Sequence, residues 1–156
     1  MAVAVEMPAI QPPVHGGANV HQRAGQIGNI TVAVIEDDTL VRGGICAILR
    51  RWGYEVIEGA GMEDILDIII DAPPIDVIIA DYRLRDRATG VEAVVIIRKV
   101  SAVPPPGIIL TGDPDPGIEA DVERHGLTLL RKPVEPEVLR SAIDEAVLGG
   151  NPWMRS

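Results

Sequence analysis

The sequence has one cysteine, Cys46, and no phenylalanine. A single thiol excludes an internal disulfide and a thiolate metal cluster. Cys46 falls within a helical pattern, where a small, partly buried residue is the simplest reading. Aromatics make up 3%, so any core must be built from Ile, Val, Leu and Ala, and with 47% hydrophobic residues there are enough of them. No apolar run approaches the length of a membrane-spanning helix. The start lacks a basic region followed by a continuous apolar stretch, so no secretory signal is expected. Positive charge is also short: 14 Lys and Arg stand against 23 Asp and Glu, for a formal net charge of −9. A sequence-independent nucleic-acid binder needs a basic face, and an anionic membrane surface would repel this chain. A cytoplasmic protein without nucleic-acid or membrane contact fits.

At 156 residues the chain has room for one ordinary domain. Residues 1–29 differ from the rest. They carry Pro8, Pro12, Pro13, Gly16, Gly17, Gly25 and Gly28 with no sustained periodicity. A disordered tail or linker is expected there. His15 and His21 lie in it, and two imidazoles in such a segment are no metal site by themselves.

From Ile30 the pattern alternates between apolar runs and helix-length segments, as buried parallel strands and their crossovers do. The expected strands are Ile30–Ile35, Tyr54–Ile57, Ile75–Ala80, Gly107–Leu110 and Leu127–Leu130. The first helix is expected from Thr39 to Trp52 with an apolar stripe of Leu40, Val41, Ile45, Ile48, Leu49 and Trp52, stopped by Gly53. Gly43 and Gly44 weaken it by roughly 1 kcal/mol each relative to Ala. Asp38 or Thr39 would cap it. Further helices are expected over Met62–Asp71, Gly90–Val100 and from Pro136, the last with Leu139, Ala142, Ile143, Ala146 and Val147 inward. Asp113–Gly126, with two prolines, an internal glycine and few apolar anchors, predicts a short, loosely held helix. The fold class is α/β, a doubly wound five-stranded parallel sheet with flanking helices over 30–148, with 149–156 as a C-terminal tail.

In such a sheet the site lies outside the carboxyl ends of the strands. Five polar residues stand at those ends: Glu36 and Asp37, Asp81, Thr111 and Lys132. Three carboxylates, one ammonium and one hydroxyl suit a divalent cation and a phosphoryl group. Singly each has a plainer role, as a cap, a turn residue or a solvated lysine. It is their joint placement that points to chemistry.

The segments V-I-E-D-D (Val34–Asp38), A-D-Y-R-L (Ala80–Leu84), L-T-G-D (Leu110–Asp113) and L-R-K-P-V (Leu130–Val134) stand in order, each at a strand end. In this the chain resembles the receiver domain of two-component response regulators, a flavodoxin-like fold. L-R-K-P-V with the T-G-D turn resembles receivers at the C-terminus of hybrid histidine kinases; a stand-alone regulator is the other setting. The resemblance implies Asp81 as phosphoacceptor, forming an acyl phosphate, with Thr111 and Lys132 on the phosphoryl oxygens. It implies Mg²⁺ bound directly by Asp37 and Asp81, largely through water by Glu36, and by the backbone carbonyl of Arg83. It implies a histidine kinase or histidine phosphotransfer protein as partner, no separate catalytic domain, and often a cis Lys132–Pro133 bond. The family's frequent aromatic three residues before the lysine is Leu129 here, and the Phe often found after Lys-Pro is Val134. A rotating-aromatic readout is therefore not expected.

Other readings fit less well. A haloacid-dehalogenase-type phosphatase wants its nucleophilic Asp at the end of strand one with a second Asp two residues on, and a cap domain; Glu36-Asp37-Asp38-Thr39 does not match. A nucleotide-binding Rossmann unit would show G-x-G-x-x-G after strand one. A degenerate receiver used only for docking would lack some of the five key residues, and all are present. A transcription factor is not expected, because no DNA-binding domain follows the last helix.

Overall fold

The computed structural model describes residues 29–149. The proline- and glycine-rich start, with His15 and His21, and the tail beyond Gly149 lie outside the described residues. Five strands alternate with five α-helices: β1 (Thr31–Ile35), α1 (Thr39–Arg51), β2 (Glu55–Gly59), α2 (Met62–Ile69), β3 (Val77–Asp81), α3 (Gly90–Val100), β4 (Gly107–Thr111), α4 (Pro116–Arg124), β5 (Thr128–Arg131) and α5 (Pro136–Leu148). All pairings are parallel, and the strand order is β2-β1-β3-β4-β5. This is the doubly wound, flavodoxin-like arrangement, whose winding reverses between β1 and β3.

Side chains alternate along each strand, so the sheet has two apolar faces. Val32, Val34, Val77, Ile79, Ile108 and Leu110 pack on one face against Cys46 and Leu49 of α1 and Leu139 and Ile143 of α5. Ala33, Ile35, Ile78, Ala80 and Ile109 pack on the other against α2, α3 and α4, through Ile65, Val94, Ile97, Ile118 and Val122. With both faces covered, the central strands must be apolar throughout, as β1, β3 and β4 are.

Several boundaries differ from the sequence expectation, each because pairing rather than hydrophobicity sets it. β2 runs on to Gly59, which pairs with Ile35. β3 begins two residues late because Asp76 is occupied at the edge of β1: its carboxylate accepts the Thr31 N–H and its own N–H donates to the Thr31 carbonyl, both at 2.8 Å. Thr111 and Arg131 pair, which lengthens β4 by one residue and shifts β5 one residue on, to Thr128–Arg131. The apolar stripe of α1 is also corrected. Leu40 is 88% exposed and Val41 is exposed too. Both lie on the first turn, where the Asp38 carboxylate caps their N–H groups at 2.9 and 3.1 Å, beside the strand ends rather than over the sheet.

α4 is short, as expected, yet it has two fully buried anchors, Ile118 and Val122. Tyr82 Oη also donates to Asp121 on this helix at 3.0 Å. The expected polar loop after β3 contains a 3₁₀ turn, Arg85–Arg87, with Arg87 at φ +63°. Cys46 is fully buried, and burial, helped by the Glu58 carboxylate beside it, pushes its thiol up to about 12. That is an inert packing cysteine.

Candidate functional site

The strand register brings four strand ends together. Asp81 closes β3 opposite Leu110, one residue short of Thr111. Ile35 closes β1 opposite Ala80, so Glu36 and Asp37 emerge beside Asp81. Lys132 follows β5, and its N–H donates to the Thr111 carbonyl at 2.8 Å. The five residues named from sequence thus lie at the carboxyl ends of β1, β3, β4 and β5, around the point where the winding reverses.

Lys132 Nζ lies 2.7 Å from Asp81 Oδ1 and 3.3 Å from Glu36 Oε2. Glu36 is 3% exposed, and its other oxygen accepts the Asp38 N–H at 3.0 Å. Burial raises the pKa of this carboxyl most; the Asp38 N–H and Lys132 pull it down, the Asp81 charge pushes it up, and the net shift is upward. At Lys132 burial lowers the ammonium's pKa, but the hydrogen bond and charge of Asp81, joined by Glu36, outweigh it and the net shift is upward. An ammonium held between two carboxylates stays charged.

One oxygen each from Glu36, Asp37 and Asp81 lies within 4.8 Å of the others. Without a cation such a group repels itself. Hard carboxylate oxygens, with room for water on the exposed side, are the donor set that Mg²⁺ prefers over softer metals. The residues present therefore fit that ion. The Arg85 guanidinium also faces the cluster, at 3.7 Å from Asp37 Oδ2.

Thr111 is buried, and its Oγ1 accepts the Asp113 N–H at 3.1 Å. That bond uses an oxygen lone pair and leaves the hydroxyl proton available to donate. Arg83 lies two residues beyond Asp81 and pairs across an isolated bridge with Thr89. Its side chain reaches Asp113 Oδ2 through Nε at 3.1 Å and a terminal nitrogen at 2.7 Å. The Lys132–Pro133 bond is cis, as the resemblance implies. Leu129 is half-buried against the face that holds α4, and Val134 against the opposite one.

Sequence reading missed four contributors. Arg42 donates to the Glu36 carbonyl at 2.7 Å, one turn into α1. Arg85 lies over Asp37, and Asp113 receives Arg83. Gly90 opens α3 under the site: a β-carbon there would collide with the Asp81 carbonyl oxygen and come within 3.1 Å of Ala80 Cβ. Asp113 stood in the L-T-G-D segment with no role assigned to it. Gly90 had a signal too, a glycine at the start of an apolar helix, and Arg42 and Arg85 had none.

The chain is similar to several solved structures. A response regulator receiver domain protein from Clostridium thermocellum is 28% identical, with a TM-score of 0.69 over 77% of this chain and 95% of that one. The chemotaxis protein CheY4 of Vibrio cholerae is 27% identical, with a TM-score of 0.65 over 76% and 98%. A putative response regulator from Chloroflexus aurantiacus is 26% identical, with a TM-score of 0.67 over 77% and 98%. No curated protein matches the chain significantly in sequence. The family model of the response regulator receiver domain matches residues 32–144, most of the chain, and the protein belongs to that family of two-component signalling domains.

Proposed function

We propose that this receiver takes a phosphoryl group from a phosphohistidine onto Asp81 and thereby changes its partner interactions. The observation that carries the reading is the Lys132–Asp81 contact of 2.7 Å beside the Glu36, Asp37 and Asp81 carboxylates. One carboxylate oxygen of Asp81 attacks phosphorus. The P–N bond to the donor imidazole breaks, its electron pair goes to nitrogen, and that nitrogen takes up a proton. The products are an aspartyl phosphate and a neutral histidine.

Each neighbour has a defined task. Lys132, now on Asp81 Oδ1 and Glu36 Oε2, pairs with a phosphoryl oxygen as a point charge. Thr111 donates its free hydroxyl proton to another. Asp37 and Asp81 would hold Mg²⁺ directly, Glu36 through water, and the Arg83 backbone carbonyl would add a further oxygen. The cation, when bound, supplies charge neutralisation between an anionic nucleophile and an anionic donor. Release of the group is hydrolysis at the same residue, so no separate catalytic domain is needed.

The donor is a histidine kinase or a histidine phosphotransfer protein. Its setting is either a stand-alone regulator or the receiver of a hybrid histidine kinase, in the cytoplasm. Among the described residues no helix is long and apolar enough to cross a membrane. Incubation with phosphoramidate, a small P–N donor, and Mg²⁺ tests the transfer. One added phosphoryl group by intact mass supports it, and an unchanged mass over hours overturns it.

A further inference from the structure

Asp113 belongs to no strand or helix, yet it contacts or neighbours three of the strand ends that build the site. Its N–H donates to Thr111 Oγ1 at 3.1 Å. Its Oδ2 receives Arg83, two residues beyond Asp81, at 2.7 and 3.1 Å. Its carbonyl receives Arg131, the residue before Lys132, at 2.9 Å. Its Oδ1 accepts the Asp115 N–H at 3.0 Å, at the residue that caps α4. Arg131 also reaches Glu119 on α4, at 3.6 Å.

These bonds have a consequence for the hydroxyl of Thr111. A threonine hydroxyl rotates unless something holds it. The Asp113 N–H occupies one side of Oγ1, so the hydroxyl proton must point elsewhere. That N–H is held in place only if Asp113 itself is fixed. Arg83 fixes it from the β3 side and Arg131 from the β5 side. Both grips come from charged groups, which make the stronger hydrogen bonds.

We infer that Asp113 is a positioning residue for phosphoryl acceptance, acting through Thr111. The inference rests on the acceptor reading above and adds a residue to it. Asp113 touches none of the carboxylates that would hold the cation, and it meets Arg83 at the guanidinium, not at the backbone carbonyl that would be a ligand. Its loss should therefore slow acceptance at saturating Mg²⁺ and leave Mg²⁺ affinity unchanged, whereas a loosened fold would impair both.

The test measures the rate of phosphoryl uptake from acetyl phosphate at saturating Mg²⁺, alongside Mg²⁺ titration followed by amide chemical shifts. The proteins are wild type, Asp113→Ala, Asp113→Asn, Thr111→Ala and the Thr111→Ala/Asp113→Ala pair. Asp113→Ala is expected to slow uptake about fivefold, the range of an exposed charged contact, with Mg²⁺ affinity within twofold of wild type. Asp113→Asn keeps one acceptor oxygen, for either Arg83 or the Asp115 N–H, and puts an NH2 donor in place of the other, so its rate should fall between those of wild type and Asp113→Ala. In the Thr111→Ala background Asp113→Ala should add little, because a residue acting through another has no independent effect. A wild-type rate in Asp113→Ala, an equal loss in both backgrounds, or a matching loss of Mg²⁺ affinity would overturn the positioning role. If wild type itself gains no mass, the acceptor reading falls, and this inference with it; uptake by wild type with any of the three contrary patterns sinks the inference alone.

Discussion

Lys132 and Asp81 meet at 2.7 Å although their strands are not neighbours: β4 lies between β3 and β5 in the sheet. Lys132 therefore reaches across the end of β4, over Thr111, to touch the carboxylate. An exposed lysine would not be held in such a reach by a surface ion pair alone. Asp81 and Glu36 bind it together, and both are largely shielded, with 14% and 3% of their side chains exposed.

Replacing Lys132 by Ala should leave the fold intact and slow phosphoryl uptake by about a hundredfold, the usual cost of removing one preorganised electrostatic partner. Single-turnover uptake from acetyl phosphate at saturating Mg²⁺ measures it. A loss smaller than threefold would mean the ammonium serves only to hold the two carboxylates together.

Magnesium should stabilise the protein through the same carboxylates. At a free concentration ten times the dissociation constant, mass action adds about 1.4 kcal/mol. The gain, read as a shift in the urea midpoint, should vanish in Asp37→Ala. An equal gain in that variant would place the ion elsewhere.

The glycines separate close packing from helix propensity. Gly90→Ala pushes a methyl group into the Asp81 carbonyl, so it should cost about 1–3 kcal/mol and distort the strand end that carries Asp81. Gly43 and Gly44 have open space around a β-carbon, so Ala at either should stabilise by about 1 kcal/mol. Urea denaturation of the three variants decides, and destabilisation by all three would contradict the account.

Most of the framework was legible in the sequence, because a strand covered on both faces must be apolar along its whole length and a polar residue at its end is then conspicuous. Asp81 and Thr111 stood out in this way. The loops did not, because their contacts depend on pairing partners far away in the chain. The Arg83–Asp113 contact joins residues separated by 30 positions, and nothing in either neighbourhood announces the other. Leu40 misled for a related reason: helical spacing identifies an apolar face but not where the sheet beneath it ends.

Cys46 should be silent in the folded protein. Its thiol is buried and pushed from 9.0 up to about 12, first by burial and then by Glu58. Iodoacetamide at pH 8 should alkylate it only in denaturant. The raised value also fixes the sign of a pH effect. The unfolded chain loses this proton near pH 9 and the folded one only near 12, so the stability tied to the neutral thiol is whole below pH 9 and is lost as pH rises through that window. Relative to Cys46→Ala, the wild-type urea midpoint should fall between pH 9 and 11. A constant difference between the two would contradict the assignment.

The central claim is that Asp81 accepts the phosphoryl group, and intact mass spectrometry of wild type and Asp81→Asn side by side tests it most directly. Both are incubated with acetyl phosphate and Mg²⁺ and sampled over minutes. The account predicts one added phosphoryl group on wild type, none on Asp81→Asn, and none on either protein when Mg²⁺ is chelated. Uptake by Asp81→Asn at the wild-type rate, or no uptake by wild type with Mg²⁺ present, would contradict it.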